Sequence, residues 1–194
     1  MDPLAQLAEA AAGCRACDLW RGATQTVFGV GAVDATMFLV GEQPGDREDR
    51  AGVPFVGPAG RVLDDAIEDA GLPREELYVT NVVKHFKWKP RGKRRIHDTP
   101  NRSEVVACNR WLRAEIDVVD PPVIVALGRI AGQALLGPSF KLGDARGQLL
   151  DFEGRAVVAT NHPSAILRIT PGPERDAAYA GLVADLRRAA ELRP

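Results

Sequence analysis

The chain has 194 residues, of which 45% are hydrophobic and 26% charged, and its formal net charge is −1. That length and balance suit one globular domain with a full core. Three cysteines are too few for a disulfide scaffold, and no run is apolar enough to span a bilayer. The Ala-rich start, Met1–Gly13, carries acids and no basic leader, so a cytoplasmic protein is expected.

In chain order, Asp2–Ala12 reads as a helix running into Cys14 and Cys17. Thr36–Val40 is a first buried strand. Gly57-Pro58-Ala59-Gly60 opens a helix to about Ala70, with Val62, Leu63, Ala66 and Ile67 at helical spacing and Gly71 closing it. Leu77–Val83 is a second strand, and Pro90–Pro100 reads as an irregular basic loop. A further helix begins near Ser103 as its N-cap. Its apolar stripe is Val105, Cys108, Leu112, Ile116 and Val119, and Pro121-Pro122 ends it. Val123–Leu127 is a third strand and Ile130–Leu136 a short helix. Gln148–Phe152 and Ala156–Thr160 form a hairpin, and Arg175–Leu192 is a closing helix. The alternation predicts a single α/β domain over 1–194, with a central, mostly parallel four-stranded sheet flanked by helices.

Parallel strands place their carboxyl ends on one edge, where open α/β sheets bind ligands. Gly41-Glu42-Gln43-Pro44-Gly45, Asn81, Gly128 and Asn161-His162-Pro163-Ser164 all fall on that edge. No phosphate-binding loop is present, and Gly29-Val30-Gly31 precedes the first strand instead of following it, which argues against a dinucleotide site. Charge is unevenly spread: Lys84–Arg95 holds seven Lys or Arg and no acid. Such a stripe suits a polyanion or a solvated loop. The C-x-x-C of Cys14 and Cys17 reads as a metal or redox site. Cys108 is a third ligand candidate, and His85, His97 and His162 are candidates for a fourth.

Gly41–Gly45, Gly52-Val53-Pro54-Phe55-Val56-Gly57, Thr80-Asn81-Val82-Val83-Lys84 and His162-Pro163-Ser164 together resemble the uracil-DNA glycosylase superfamily. The C-x-x-C start is similar to the iron–sulfur branch related to family 4. The Gly-Glu-Gln-Pro-Gly form, the Lys93-Arg94-Arg95-Ile96-His97 insertion, and His85 where that branch carries cysteine resemble the UdgX-type subgroup, whose members attach covalently to the DNA they deglycosylate. The resemblance implies excision of uracil from DNA, with single-stranded DNA the expected preference and a monomer the expected state. It implies Phe55 as the stacking wall for uracil, Asn81 as reader of the base edge, the Gln43 backbone or side chain assisting, and His162 as donor to the departing uracil anion. It further implies that His97 attacks C1′ of the sugar, supported by Glu42 or Asp46. Lys84, Arg94, Arg95 and Ser164 would contact DNA, with Arg94 and Arg95 on phosphates or holding the loop closed; Lys87 and Lys89 would add attraction, and Phe86 and Trp88 would stack on bases or pack in the core. Cys14, Cys17, His85 and Cys108 would hold a [4Fe–4S] cluster, with zinc the alternative metal.

Overall fold

The computed structural model describes residues 2–193. Its elements, in chain order, begin with α1 (Pro3–Ala12), β1 (Val30–Gly31), β2 (Met37–Gly41), α2 (Asp46–Ala51), α3 (Pro58–Asp69) and β3 (Leu77–Asn81). Then come β4 (Trp88–Arg91), β5 (Arg94–His97), α4 (Arg102–Val119), β6 (Val123–Leu127) and α5 (Arg129–Leu136). The chain closes with α6 (Leu142–Ala145), β7 (Leu150–Phe152), β8 (Arg155–Thr160), α7 (Pro163–Arg168) and α8 (Pro173–Glu191).

Every residue of β2, β3 and β6 is buried, which requires helices over both faces of the sheet. The side chains alternate accordingly. Phe38, Val40, Tyr78, Ile124 and Ala126 face a core completed by Leu4 of α1 and by Leu112 and Ile116 of α4. Met37, Leu39, Val79, Val123 and Val125 face the other core, against Leu63 of α3 and Leu182 and Leu186 of α8. Each fully buried side chain of this size contributes about 1.5–3 kcal/mol, so the two-sided burial fixes strand register firmly.

The sheet has six strands in the order β1-β3-β2-β6-β8-β7. Its centre is the expected four-stranded parallel core, β3-β2-β6-β8. Two short antiparallel edges, β1 and β7, complete it; β7 is the first arm of the expected hairpin, whereas a two-residue β1 carries too little pattern to read. In-register pairing sets Gly41 beside Asn81 and Leu127 beside Thr160, so the carboxyl ends form one level rim.

Local differences from expectation have simple causes. Asn101, not Ser103, caps α4: its side chain accepts the Glu104 N–H at 2.9 Å, and Glu104 accepts the Asn101 N–H at 2.7 Å. That reciprocal pair leaves Ser103 inside the first turn. The basic segment is not irregular but a two-stranded antiparallel hairpin, β4–β5, with Trp88 opposite His97. Gly92, at φ +59°, makes its turn.

Candidate active site

The rim opens into a cleft of about 900 Å³ whose lining includes Glu42, Phe55, Asn81, His97 and His162. Its walls are positioned by backbone constraints. Gly41 has no side chain because a Cβ there would lie 2.4 Å from Asn81 Oδ1 and 2.6 Å from Phe55 Cζ. Phe55 itself sits at φ +57°, a costly region for an aromatic residue. Its carbonyl packs where Gly60 has no Cβ, at 1.6 Å from the position such an atom would take. Glu48, buried on α2, fastens this loop to the Gly41–Gly45 turn by accepting the Gly57 N–H at 2.7 Å and the Gly45 N–H at 3.1 Å.

Asn81 is buried, and its Oδ1 has no hydrogen-bond partner among the described residues. An unpaired buried amide oxygen costs about 1–3 kcal/mol, a cost that a donating ligand would relieve. Phe55 offers a flat apolar wall, its ring centroid 5.9 Å from that of His162.

His162 is the N-cap of α7, and its Nδ1 accepts the Ser164 N–H at 3.1 Å. The Ser164 hydroxyl lies 2.9 Å from the same nitrogen, and Ser164 lines the cleft. Since Nδ1 carries the lone pair, the proton of the neutral ring sits on Nε2. Burial, opposed by the charge of Glu42, pushes the His162 pKa down to about 4. Near neutral pH it is therefore an uncharged N–H donor.

His97 lines the same cleft. Its Nε2 lies 3.3 Å from Glu42 Oε1, and its side chain is 46% exposed. Glu42 Oε1 is buried and accepts no hydrogen bond among the described residues. Asp46 does not take this supporting role, because its carboxylate is committed to Arg95 at 2.5 Å and Arg50 at 3.1 Å. Although burial opposes it, those two guanidinium groups hold the Asp46 carboxyl below the usual range.

Arg95 is the hairpin's anchor. It also pairs with Asp49 at 2.7 Å, and its guanidinium stacks on Phe86 and Trp88 at 5.4 and 5.6 Å. Trp88 Nε1 donates to the Gly22 carbonyl at 2.7 Å. Of the two readings of Arg95, the geometry gives the one that holds the loop closed; Phe86 is core and Trp88 is fastened down. Gln43 likewise has its side chain engaged: Nε2 donates to the Lys87 and Asp98 carbonyls at 3.1 and 3.0 Å, and Oε1 accepts the Lys87 N–H at 3.0 Å. Its amide clamps the hairpin's root and is not free to read a base.

The basic stripe is also less free than its sequence suggests. Lys84 is buried against Glu115, so it cannot contact DNA. Lys87 pairs with Glu104 and Lys89 with Asp98, each at 3.0 Å. Arg91, Lys93 and Arg94 are exposed at the hairpin tip, where unpaired charge attracts phosphate. Arg47, Arg129 and Arg168 also line the cleft, a cationic contribution that lies outside any basic run and so had no sequence signal.

Residues 28–187 match the Uracil DNA glycosylase superfamily. The chain belongs to that superfamily. Its relatives include type-4 uracil-DNA glycosylases. That of Thermotoga maritima is 40% identical over 157 residues, 80% of this chain and 78% of the relative. That of Pyrobaculum aerophilum is 38% identical over 175 residues, 85% of each chain, and that of Archaeoglobus fulgidus 36% identical over 179 residues, 86% of this chain and 84% of the relative. No helix of this superfamily member, among the described residues, is long and apolar enough to cross a membrane.

The sulfur site is the second feature of this glycosylase-superfamily chain. Burial works against Cys14, but hydrogen bonds from the Ala16 N–H, Trp111 Nε1 and Arg110, together with the Arg110 charge, draw its pKa below the ordinary thiol value. Burial raises Cys17 and pushes Cys108 up to about 11, against the pull of Lys84. The thiols also raise one another, Cys14 acting on Cys17 and both on Cys108, which places them in one electrostatic neighbourhood. His85 Nε2 lies 3.1 Å from Thr26 Oγ1, whose own hydrogen goes to the Ala11 carbonyl. His85 must therefore donate from Nε2, and its Nδ1 lone pair stays free, the arrangement of a ligating histidine. Among the described residues, no three Cys, His, Asp or Glu side chains stand close enough to hold a single metal ion.

Proposed function

We propose that this protein excises uracil from DNA and then becomes joined through His97 to C1′ of the abasic sugar. The observation that carries the reading is the facing pair His97–Glu42, 3.3 Å apart, on a cleft also lined by Phe55, Asn81 and His162. The unpartnered Asn81 Oδ1 suits the N3–H of uracil. Cytosine presents a lone pair there and would leave both groups unsatisfied. The base must leave the stack to reach this cleft, and single-stranded DNA spares the cost of unpairing.

As the N1–C1′ bond breaks, its electron pair passes into the uracil ring. Neutral His162 donates from Nε2 to the developing anion, an electrostatic contribution that costs no proton transfer. The cationic sugar is then attacked by an imidazole nitrogen of His97. A nitrogen–C1′ bond forms, and the ring loses its proton to Glu42. No water is consumed, and the enzyme stops after one event. Arg95 and Gln43 hold the hairpin so that His97 stays beside Glu42. Arg94 and its exposed neighbours attract the phosphates. Cys14, Cys17, Cys108 and His85 would hold a [4Fe–4S] cluster, which when bound supplies a covalent brace between the N-terminal segment, the end of β3 and α4.

The test is a denaturing gel of the protein with a uracil-containing single-stranded oligonucleotide, beside a thymine control. A slow band surviving heat and detergent only with uracil supports the proposal. Alkali-labile sites without that band would mean turnover glycosylase action of the ordinary kind, and His97 would lose its role. Neither signal would leave a DNA-binding module without catalysis.

A further inference from the structure

Lys84 and Glu115 form an ion pair inside the core, with side chains 1% and 0% exposed. Desolvation of each ion costs several kcal/mol, and an uncharged pair of similar volume often supports a fold equally well. Stability alone therefore does not account for the charges. Their contacts suggest what does. Glu115 accepts the Gly29 N–H at 2.9 Å, the Tyr78 hydroxyl at 3.0 Å and the Thr80 hydroxyl at 3.0 Å. Besides Glu115, the Lys84 ammonium donates to Thr80 Oγ1 at 2.6 Å and to the Asn81 carbonyl at 2.7 Å. All three of its hydrogens are thereby assigned.

Asn81 is where β3 stops and the cleft begins. On one side its backbone is zipped to β2, and the zipper continues as the Val82 and Val83 N–H groups donate to the Gly41 and Glu42 carbonyls, each at 3.0 Å. The Asn81 carbonyl accepts from Lys84 Nζ, which reaches back from three residues downstream. The tolerance here is small, since Asn81 Oδ1 lies against a glycine that has no room for a Cβ. Rotation of the peptide would swing the amide off the cleft axis, and a site of this kind needs its reading group held to within about 0.5 Å.

We propose that Lys84, held by Glu115, is a positioning residue that sets the Asn81 amide for base recognition. This rests on the reading of Asn81 as the group that pairs with uracil. Lys84 touches no substrate; it fixes the peptide whose side chain does.

The test compares three proteins with wild type. Asn81→Ala is the reference for lost base reading. In Lys84→Met/Glu115→Gln both charges leave together, while the glutamine still accepts from Gly29 and Tyr78. Lys84→Arg keeps the ion pair but moves the donors off the Asn81 carbonyl, and serves if the double variant does not fold. Two quantities are measured: single-turnover uracil release from a uracil oligonucleotide, and affinity for the same oligonucleotide with a tetrahydrofuran abasic analogue, which has no base to read. The expected result is uracil release slowed about tenfold or more in the folded pair variants, with abasic-analogue affinity unchanged. If Asn81→Ala slows release and the pair variants do not, the pair is structural only and the proposal fails. Equal loss of abasic-analogue binding would mean general loosening and would also overturn it. If Asn81→Ala itself releases uracil at full rate, the reading of Asn81 fails first and the proposal with it.

Discussion

Two parts of the cleft are built differently. Asn81 and His162 stand where the parallel central strands end, strands buried on both faces in β2, β3 and β6, and Phe55 stands on a loop packed against Gly41 at that edge. His97 stands on a two-stranded hairpin outside that sheet, attached by Arg95, Trp88 and Gln43. The wall that would receive the base is thus set by the core, whereas the group that would trap the sugar is set by a few charged and amide contacts. Recognition and trapping should be separable, because damage to the hairpin leaves the rim intact.

The sharpest break is His97→Ser. The expected outcome is complete loss of the heat-stable band while uracil release continues, now with turnover, read by gel and by free-uracil assay. Next, His162→Ala is expected to slow uracil release by about 10²–10³-fold, the usual effect of removing one preorganised donor to a developing anion, and to show in single-turnover kinetics. Arg95→Met strands the buried carboxylate of Asp49 and should lower adduct yield about tenfold; excision should fall much less, and parallel loss of both would erase the separation. A pH series sharpens the rim's side. His162 has its folded pKa lowered to about 4, below the unfolded value near 6.5, so the unfolded state binds the proton first. Its contribution to stability is complete above about pH 6.5 and is lost as pH falls toward about 4. Thermal unfolding of wild type against His162→Gln should diverge over that window and run parallel above it. The smallest effect is expected for Arg94→Ala, which should reduce the salt dependence of DNA binding by about one phosphate contact.

The rim was legible in the sequence because continuous apolar runs such as Met37–Val40 and Val123–Leu127 admit few other placements. Gly41 and Gly128 marked where two of the strands stop. The hairpin was not legible, since Trp88–His97 alternates no apolar face and its pairing depends on distant acids. For the same reason Lys84 was misjudged, and the Gln43 side chain gave no sign that it clamps the hairpin. A lysine in a basic run reads as solvated until Glu115, seven residues after Cys108 on the buried stripe of α4, supplies its partner. That glutamate among apolar positions was the available signal. The acids of Asp46–Asp49 similarly concealed α2, although Glu48 three residues after Gly45 is a capping spacing.

The β4–β5 ladder pairs Trp88 with His97, Lys89 with Ile96, Pro90 with Arg95 and Arg91 with Arg94. Successive side chains along such a strand point to opposite faces, so Arg95 and His97 share one face and Arg94 and Ile96 the other. The orientation of His97 therefore obeys a parity rule. A single-residue insertion or deletion between the anchor and His97 would turn the imidazole away from Glu42 with its chemistry intact. A change of two residues would keep it facing inward.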